Sequence, residues 1–378
     1  MSNTVKITVA GAGFAALTGL KTLRKQLPDA ELTLVAPKPE FIYLPSLIWV
    51  PYGMRRGDDL RFDIQPLLND LKVKFVQGSV TGLSDDGRVL KTDNGDVDND
   101  ALLIATGGRF IKKLPGIENA ITICEGIKSA EAMGEKINTL SSGTIALGFG
   151  GNPKEPSAMR GGPMFELLFG LDTWLRKQGK RDKFKLVFFN PAPQPGKRLG
   201  EKAVKGLLAE MKKRDIDTHL GHKIQSFENN VVKTEGGEIP ADLILFMPGM
   251  TGPAWVQGSP LPLSEGGFIK ADGMAQVAGM EKIYVAGDAG SYPGPDWMPK
   301  QAHMADLQAA AAAKNIALNL AGKSATEKFK VELICIVDTL DKGILVYRTE
   351  SRSIVLPAMA PMHWAKSLFE KLYLRGLN

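Results

Sequence analysis

The sequence predicts an α/β fold with two Rossmann-like dinucleotide-binding domains, the second inserted in the first, plus a C-terminal hairpin and amphipathic helix. Three observations lead to this prediction. A β-strand runs directly into glycines at the start of the chain, the same pattern returns near residue 145, and two later strands end in Gly249 and Gly287. A chain of 378 residues also exceeds one ordinary domain.

The positions of these glycines divide the chain. We expect residues 1–110 to form the first part of one domain and residues 111–250 to form the second Rossmann-like domain. Residues 251–325 then return to the first domain, and residues 326–378 form the C-terminal hairpin and a membrane or interface helix. Hydrophobic residues make up 44% of the chain and charged residues 23%, which indicates a folded globular protein.

The first motif combines a strand, a glycine turn and a helix. Residues 5–10 alternate as a strand, Gly11-Ala12-Gly13 follows at once, and a helix with leucines on one face comes next. Gly11 permits the tight turn, Gly13 lets the backbone approach a pyrophosphate, and Ala16 allows the helix to pack closely on the strand. The helix N-terminus offers amide donors to phosphate groups. This segment therefore predicts a dinucleotide site.

The acidic residue that usually binds the ribose hydroxyls is missing from this motif. It is expected near the end of the second strand, where the chain has Val35-Ala36-Pro37-Lys38 and no carboxylate before Glu40. We therefore expect backbone groups and Lys38 to hold the adenosine end of the ligand.

The second glycine motif departs from a nucleotide-binding pattern. Residues 145–147 form an apolar strand that leads into Gly148-Phe149-Gly150-Gly151, but Pro153 and Pro156 follow within a few residues. Two prolines so close together do not open a helix against a pyrophosphate. We expect the second domain to keep its fold and to have lost tight NAD(P) binding.

Charge and cysteine content narrow the class of protein. The formal net charge is +6 and the pI is about 9.1, yet the basic residues are spread along the chain and no nucleic-acid signature is present. We find no signal peptide and no apolar stretch long enough to span a bilayer. Two cysteines form no disulfide framework, so we expect a cytoplasmic protein. His219 and His222 lack further ligands, so we predict no metal site.

Three separated segments resemble the two-dinucleotide-domain flavoprotein superfamily. They are the N-terminal glycine turn, the strand end Ile104-Ala105-Thr106-Gly107, and the strand end Val285-Ala286-Gly287-Asp288. The resemblance implies that FAD is the cofactor. It also implies that Ala105, Thr106 and Gly107 lie where the two domains join near FAD, and that Gly287 and Asp288 reach its ribityl–pyrophosphate region.

Longer stretches are similar to the sulfide:quinone oxidoreductases and flavocytochrome c sulfide dehydrogenases. These stretches are residues 41–50, the helix start at residues 161–166, and Pro299-Lys300 before an alanine-rich helix. The resemblance runs from Val5 to about Arg375. It implies an enzyme that oxidises sulfide or a related small sulfur compound and reduces a quinone.

The cysteines depart from that family pattern. A redox cysteine is usual shortly before the helix start, but residues 156–160 contain no thiol. The resemblance implies that Cys335 is the second redox cysteine and that Cys124 matches a third cysteine found in many members. Either Cys124 has taken the place of the missing thiol or the substrate is not sulfide. A lone cysteine on an apolar strand can also be an inert core residue.

Lys300 and His303 are the other candidate catalytic residues. A lysine at the position of Lys300 would stabilise the anionic reduced flavin, and its alternative is a solvated surface residue. His303 follows by three residues, so we expect one helical turn to bring both near the flavin. It is a candidate proton carrier for quinone reduction.

The C-terminal tail predicts an amphipathic helix. Trp364, Leu368, Phe369 and Leu372 share one face, while Lys366, Lys371 and Arg375 supply basic groups. This pattern suits a helix that lies in the membrane surface. The same pattern fits a helix docked on its own core or on a second subunit of a homo-oligomer.

Two alternatives to a sulfide:quinone oxidoreductase stay open. The first is a type II NADH:quinone dehydrogenase, against which the broken second glycine motif argues. The second is a flavin-binding subunit without sulfide turnover, which the missing thiol would explain.

Overall fold

A computed structural model describes residues 4–377 of the chain. Its first third contains a parallel sheet with small antiparallel additions. The elements of this part are β1 (Lys6–Ala10), α1 (Phe14–Gln26), β2 (Glu31–Ala36), β3 (Glu40–Ile42), β4 (Arg61–Asp63), α2 (Gln65–Asp70), β5 (Val73–Gln77), β6 (Val80–Leu83), β7 (Val89–Thr92), β8 (Val97–Asp98), β9 (Ala101–Ile104) and β10 (Arg109–Phe110).

The middle third contains a second parallel sheet with its own helices. Its elements are α3 (Ile127–Thr139), β11 (Gly143–Phe149), α4 (Gly162–Lys177), β12 (Phe184–Asn190), α5 (Glu201–Lys213), β13 (Asp217–Leu220), β14 (Ile224–Glu228), β15 (Val231–Thr234), β16 (Gly237–Pro240), β17 (Leu243–Met247) and β18 (Met250–Thr251).

The last third returns to the first sheet and then adds a separate sheet and a helix. Its elements are β19 (Ile269–Lys270), β20 (Ile283–Val285), β21 (Gly290–Ser291), α6 (Ala302–Leu320), β22 (Leu333–Asp338), β23 (Gly343–Arg348), β24 (Ser353–Met359) and α7 (Ala360–Arg375).

The strand order shows that one sheet is inserted in the other. The first sheet is five-stranded and parallel in the order β20-β9-β1-β2-β5, and the second is four-stranded and parallel in the order β13-β12-β11-β17. Every strand of the second sheet lies between β9 and β20 in the sequence. The predicted α/β class with an inserted second Rossmann-like unit is confirmed, while the boundaries at residues 110, 250 and 325 stay predictions.

The C-terminal sheet has one strand more than the predicted hairpin. β22, β23 and β24 form a three-stranded antiparallel sheet. β24 contains Pro357, which has no backbone N–H to donate, and proline is tolerated because β24 is an edge strand. The proline and a partly exposed pattern concealed this strand in the sequence.

Small residues hold helix α1 close to the first sheet. Ala16 is fully buried, and a side chain at Gly19 would overlap Leu103 on β9. Ala309 and Ala312 of helix α6 are also fully buried, and they belong to the same hydrophobic cluster as Ala16 of α1. This close packing fixes the start of α1, and with it the glycine turn, at the edge of the sheet.

Candidate active site

The glycine turn leaves its two key glycines with different constraints. Gly11 has φ +113°, its N–H donates to the Val35 carbonyl at 2.8 Å, and a Cβ there would overlap the Ala105 carbonyl oxygen. Gly13 is the extended N-cap residue of α1, and a Cβ there would meet nothing within 4 Å. The amides that begin α1 therefore face open space, which is what a pyrophosphate needs.

Two other strand ends meet this turn. Ala105, Thr106 and Gly107 follow β9, and Gly287 and Asp288 follow β20, so both segments lie at the carboxyl edge beside β1. Gly107 has φ +72° with open space beside it, and Gly287 has φ +75° and donates its N–H to the buried Gln308 side chain at 2.9 Å. The structure thus brings the three predicted cofactor segments together at one edge.

Asp288 carries a contact that the sequence did not reveal. Its carboxylate forms an ion pair with Arg160, which belongs to the loop before α4. Both side chains are mostly buried, at 15% and 18% exposed. Asp288 therefore joins the first sheet to the segment where the missing thiol was expected.

Lys300 is only partly exposed and its ammonium is held by backbone carbonyls, so the alternative of a solvated surface lysine is wrong. Its ammonium donates to the carbonyls of Gly290 at 2.7 Å and Asp288 at 3.3 Å and lies 4.1 Å from the centroid of the Phe268 ring. Burial lowers the pKa of Lys300 to about 8, against the opposing effect of Asp288. This environment lets Lys300 exchange a proton near neutral pH.

His303 does not share a helical turn with Lys300, which corrects the expectation. Helix α6 begins at Ala302, and Gln301 before it has an extended backbone, so Lys300 lies outside the helix. The His303 ring lies 3.3 Å from the Glu332 carboxylate. Its role as a proton carrier stays a prediction.

Lys38 lies on the surface. It follows β2, its side chain is exposed, and it forms no hydrogen bond with any residue that the structure describes. Glu40 is occupied by an ion pair with Arg61 at 2.9 Å. The contact of Lys38 with the adenosine end stays a prediction.

Both cysteines are free thiols packed against the same hydrophobic core. Cys335 on β22 lies at the start of α4, where a Cβ on Gly162 would be 3.6 Å from its sulfur. Burial raises the pKa of the Cys335 thiol to about 12 and that of Cys124 to about 11. Lys366 is the cation that lowers the pKa of Cys335, and burial outweighs its effect.

A buried ion pair between Glu166 and Lys366 stands beside both thiols. Glu166 is on the first turns of α4 and Lys366 is on α7, and their side chains are 8% and 13% exposed. Both charges influence the pKa of both cysteines. Burial raises the pKa of Glu166 to about 7, while Lys366 opposes that rise. Lys366 is therefore an inward-facing residue of the site, not one of the surface basic groups expected on the tail.

Two further polar contacts hold α7 against the protein. His363 contacts the buried Asp338 carboxylate at 2.6 Å, and the same carboxylate accepts the Trp49 indole N–H at 3.0 Å. Arg55 binds the buried Glu370 through two N–H groups, at 2.9 and 2.8 Å. The docked side of α7 thus combines these charged contacts with Tyr373 and Leu374, which pack against a hydrophobic core.

The second glycine motif is filled by contacts within the chain. Helix α4 begins only at Gly162, so Pro153 and Pro156 lie in a loop and not at the start of a helix, as predicted. In that loop Asn152 donates to the carbonyls of Met250 and Gly266, and Glu155 accepts from Ser264 and Ser291. The start of α4 meets Cys335. These contacts support the predicted loss of tight NAD(P) binding.

The chain matches the family described as pyridine nucleotide-disulphide oxidoreductase over residues 5–310. It belongs to that family. Members of the family are FAD-dependent, and the three strand ends with open space beside Gly13 and Gly107 fit a dinucleotide. FAD is therefore the cofactor of this oxidoreductase, as predicted.

Relatives of two kinds resemble the chain over most of its length. A sulfide-quinone reductase of Aquifex aeolicus is 25% identical, covering 97% of this chain and 90% of the relative. A mitochondrial sulfide:quinone oxidoreductase of Dictyostelium discoideum is 24% identical over 78% of this chain and 67% of its own. A type II NADH:quinone oxidoreductase of Staphylococcus aureus is 26% identical, covering 86% of this chain and 85% of the relative.

Solved structures show the same fold. The sulfide:quinone oxidoreductase from Aquifex aeolicus superposes with a TM-score of 0.89 at 23% identity, covering 99% of this chain and 91% of that one. A ferredoxin reductase from Rhodopseudomonas palustris superposes with a TM-score of 0.72 at 14% identity, covering 91% and 82%.

The two glycines of the turn predict different variant phenotypes. Gly13→Val should fold but carry no flavin, because its side chain enters open space where the pyrophosphate would lie. Gly11→Val should fail to fold stably, because its φ and the Ala105 carbonyl both exclude a side chain. Circular dichroism and the flavin absorbance of purified protein measure the two effects. Stoichiometric flavin in folded Gly13→Val would show that this turn does not hold the pyrophosphate.

Proposed function

We propose that this FAD-dependent oxidoreductase oxidises sulfide, or a related small sulfur compound, at a cysteine and passes the electrons to a quinone. The observation that carries the proposal is the placement of two free thiols beside the buried Glu166–Lys366 pair at the start of α4. The likeness to two sulfide:quinone oxidoreductases over most of the chain supports it.

Cys335 is the proposed nucleophile. Its thiol and one molecule of hydrogen sulfide form a persulfide, Cys335–S–SH, and this oxidation releases two electrons and two protons. FAD held at the glycine turn would supply the two-electron chemistry that takes these electrons on to a quinone. The thiolate is the reactive form, so the raised pKa of Cys335 requires a group that removes its proton.

Glu166 is the proposed acceptor of that proton. Its pKa of about 7 lets it take and release a proton at neutral pH, and it lies one turn of α4 after Gly162, which meets the Cys335 sulfur. Lys366 then offers the positive charge that stabilises a thiolate in this buried place.

Cys124 and Lys300 have secondary roles in the proposal. The pKa of Cys124 responds to the charges of Arg160 and Asp288, and Arg160 belongs to the loop in which the family's usual cysteine is missing. We assign it the second sulfur-binding position. Lys300 is the cation proposed for the reduced flavin, because a buried ammonium near Asp288 compensates new negative charge.

A type II NADH:quinone oxidoreductase is the competing function, since a relative with that name resembles 86% of the chain. The loop that fills the second glycine motif argues against it. Anaerobic addition of NADH separates the two functions: rapid bleaching of the flavin by NADH and none by sulfide would favour the NADH enzyme. Bleaching by neither donor would favour a flavin-binding subunit without sulfide turnover.

The two cysteine variants test the sulfide proposal. Sulfide should bleach the flavin of the wild-type protein anaerobically, and a quinone should restore the colour. Cys335→Ser should slow this bleaching by at least about a hundredfold while FAD stays bound, because the nucleophile is lost. Cys124→Ser removes the second proposed sulfur-binding position and should slow the bleaching measurably but less than Cys335→Ser, because the proposed nucleophile remains. Unchanged bleaching in Cys335→Ser would contradict the assignment.

The outward face of α7 supports attachment to a membrane surface. Trp364, Leu368, Phe369 and Leu372 are between 56% and 66% exposed, while the opposite face docks through the charged residues described above. A helix with its polar face buried and its apolar face outward is the reverse of a surface helix of a globular protein. No helix between residues 4 and 377 is long and apolar enough to cross a membrane.

The charges around this face favour a lipid surface as its occupant. Lys371 and Arg375 are exposed on α7, and the chain as a whole carries a net charge of +6. Exposed Trp and Leu side chains beside basic residues bind the headgroup region of anionic membranes. A lipid-soluble quinone would be available at the same surface.

A negative charge introduced by substitution on the outward face of α7 tests this attachment. Phe369→Glu should weaken binding to vesicles that contain anionic lipid by at least about tenfold, because burial of one phenylalanine contributes roughly 1.5–3 kcal/mol. Ala209→Glu, on an exposed position of α5, adds the same charge elsewhere and should bind like wild type apart from a small electrostatic loss. Vesicle co-sedimentation measures both. Equal binding of the two variants, or self-association that Phe369→Glu disperses without lipid, would assign the face to a second subunit.

A further inference from the structure

Arg198 links three segments around the thiol site. It belongs to the short 3₁₀ turn Lys197–Leu199, which stands between Gly196 at φ +77° and Gly200 at φ +97°. Its guanidinium donates to the Met159 carbonyl at 3.0 Å and to the Met298 carbonyl at 2.6 Å. The Met159 segment continues to Gly162 beside the Cys335 sulfur, and Met298 precedes Lys300.

The Nε donor of Arg198 has no acceptor in the described part of the chain. Its Nε is closed off from solvent and forms no hydrogen bond within residues 4–377. Arg198 also lacks a carboxylate partner among these residues, and burial lowers its pKa to about 10. A buried charged donor left without an acceptor costs free energy, and an anion that accepts from it would recover that cost.

Arg348 stands next to this group on β23. It donates to the Arg198 backbone carbonyl at 2.9 Å, and its guanidinium lies 4.7 Å from the centroid of the Trp297 ring. In the β-ladder Arg348 pairs with Leu333, two residues before Cys335 on the neighbouring strand. No ion pair joins Arg348 to a carboxylate in the part of the chain that the structure describes.

Positive charge exceeds negative charge in this region. The cations are Arg160, Arg198, Lys300 and Arg348, and the carboxylates near them are Asp288 and Glu155. Four positive charges and two negative charges leave an excess of two. Because these side chains are partly buried, the surroundings screen the excess less than water does, and it attracts anions.

We propose that Arg198 and Arg348 form an anion-binding subsite that collects a small inorganic anion on the thiol side of the active site. Guanidinium groups suit this ligand because they offer several N–H donors and keep their charge when buried. The inference rests on the proposed function only in naming the hydrosulfide anion as the physiological ligand. A sulfur oxyanion has the same charge chemistry and would use the same donors.

Calorimetric titration of the FAD-loaded protein with sulfate tests the subsite without turnover. Wild type should bind one sulfate, and Arg198→Met should bind it at least tenfold more weakly, since methionine keeps much of the apolar stem and removes the donors. Lys197→Met removes a charge from the exposed neighbour and should bind like wild type. Arg348→Met provides a second variant if Arg198→Met does not fold. Absence of sulfate binding in wild type, or equal weakening in the Lys197 control, would overturn the subsite.

Steady-state kinetics then separate the two ligand sources. If hydrosulfide uses the subsite, sulfate should inhibit competitively against sulfide, and Arg198→Met should raise the KM for sulfide at least tenfold while Lys197→Met leaves it unchanged. If sulfate binding depends on Arg198 but the KM for sulfide does not, the subsite stands with an oxyanion as its ligand and hydrosulfide is excluded. A protein whose flavin is not bleached by sulfide contradicts the proposed function, whereas the sulfate titration still decides the subsite.

Discussion

The buried ion pair between Glu166 and Lys366 is the contact on which the rest of the site depends. It joins two residues two hundred positions apart, and it fixes α7 against the start of α4. Removing one partner of a buried pair costs roughly 3–5 kcal/mol, because the other charge stays buried without compensation. The same two charges act on both thiols, so one contact helps to position the terminal helix and also modulates cysteine pKa values that burial raises.

This arrangement explains the unusual orientation of α7. The pairs Lys366–Glu166, His363–Asp338 and Arg55–Glu370 hold the inner face of the helix together with Tyr373 and Leu374, which pack against the core. The apolar side chains that lie outside are those of Trp364, Leu368, Phe369 and Leu372. A helix of this kind brings a lipid-facing surface and an active-site charge together on one element. In the proposed function, the quinone accepts the electrons at this lipid-facing surface. Lys366 extends from the same helix toward the thiols.

The sequence was informative wherever a local rule applied. The roles of Gly11 and Gly13 could be predicted because a dinucleotide-binding turn requires glycine at these positions. The loop after Gly151 could be predicted because two nearby prolines prevent a helix from starting there. It was less informative where residues meet across the fold. The inward direction of Lys366, the Asp288–Arg160 pair and the unpaired Nε of Arg198 depend on long-range packing that no spacing reveals. β24 was missed because it contains Pro357, and proline is rarely found inside β-strands.

A double-mutant cycle on the rate of flavin reduction by sulfide tests the central claim most directly. It compares wild type, Glu166→Gln, Lys366→Met and the double variant in anaerobic single-turnover experiments. Because the two residues act as one unit on the thiols, the double variant should react about as slowly as the slower single variant, with a coupling of at least about tenfold. Two effects that simply multiply would show that Glu166 and Lys366 act independently, and would contradict the role given to their ion pair.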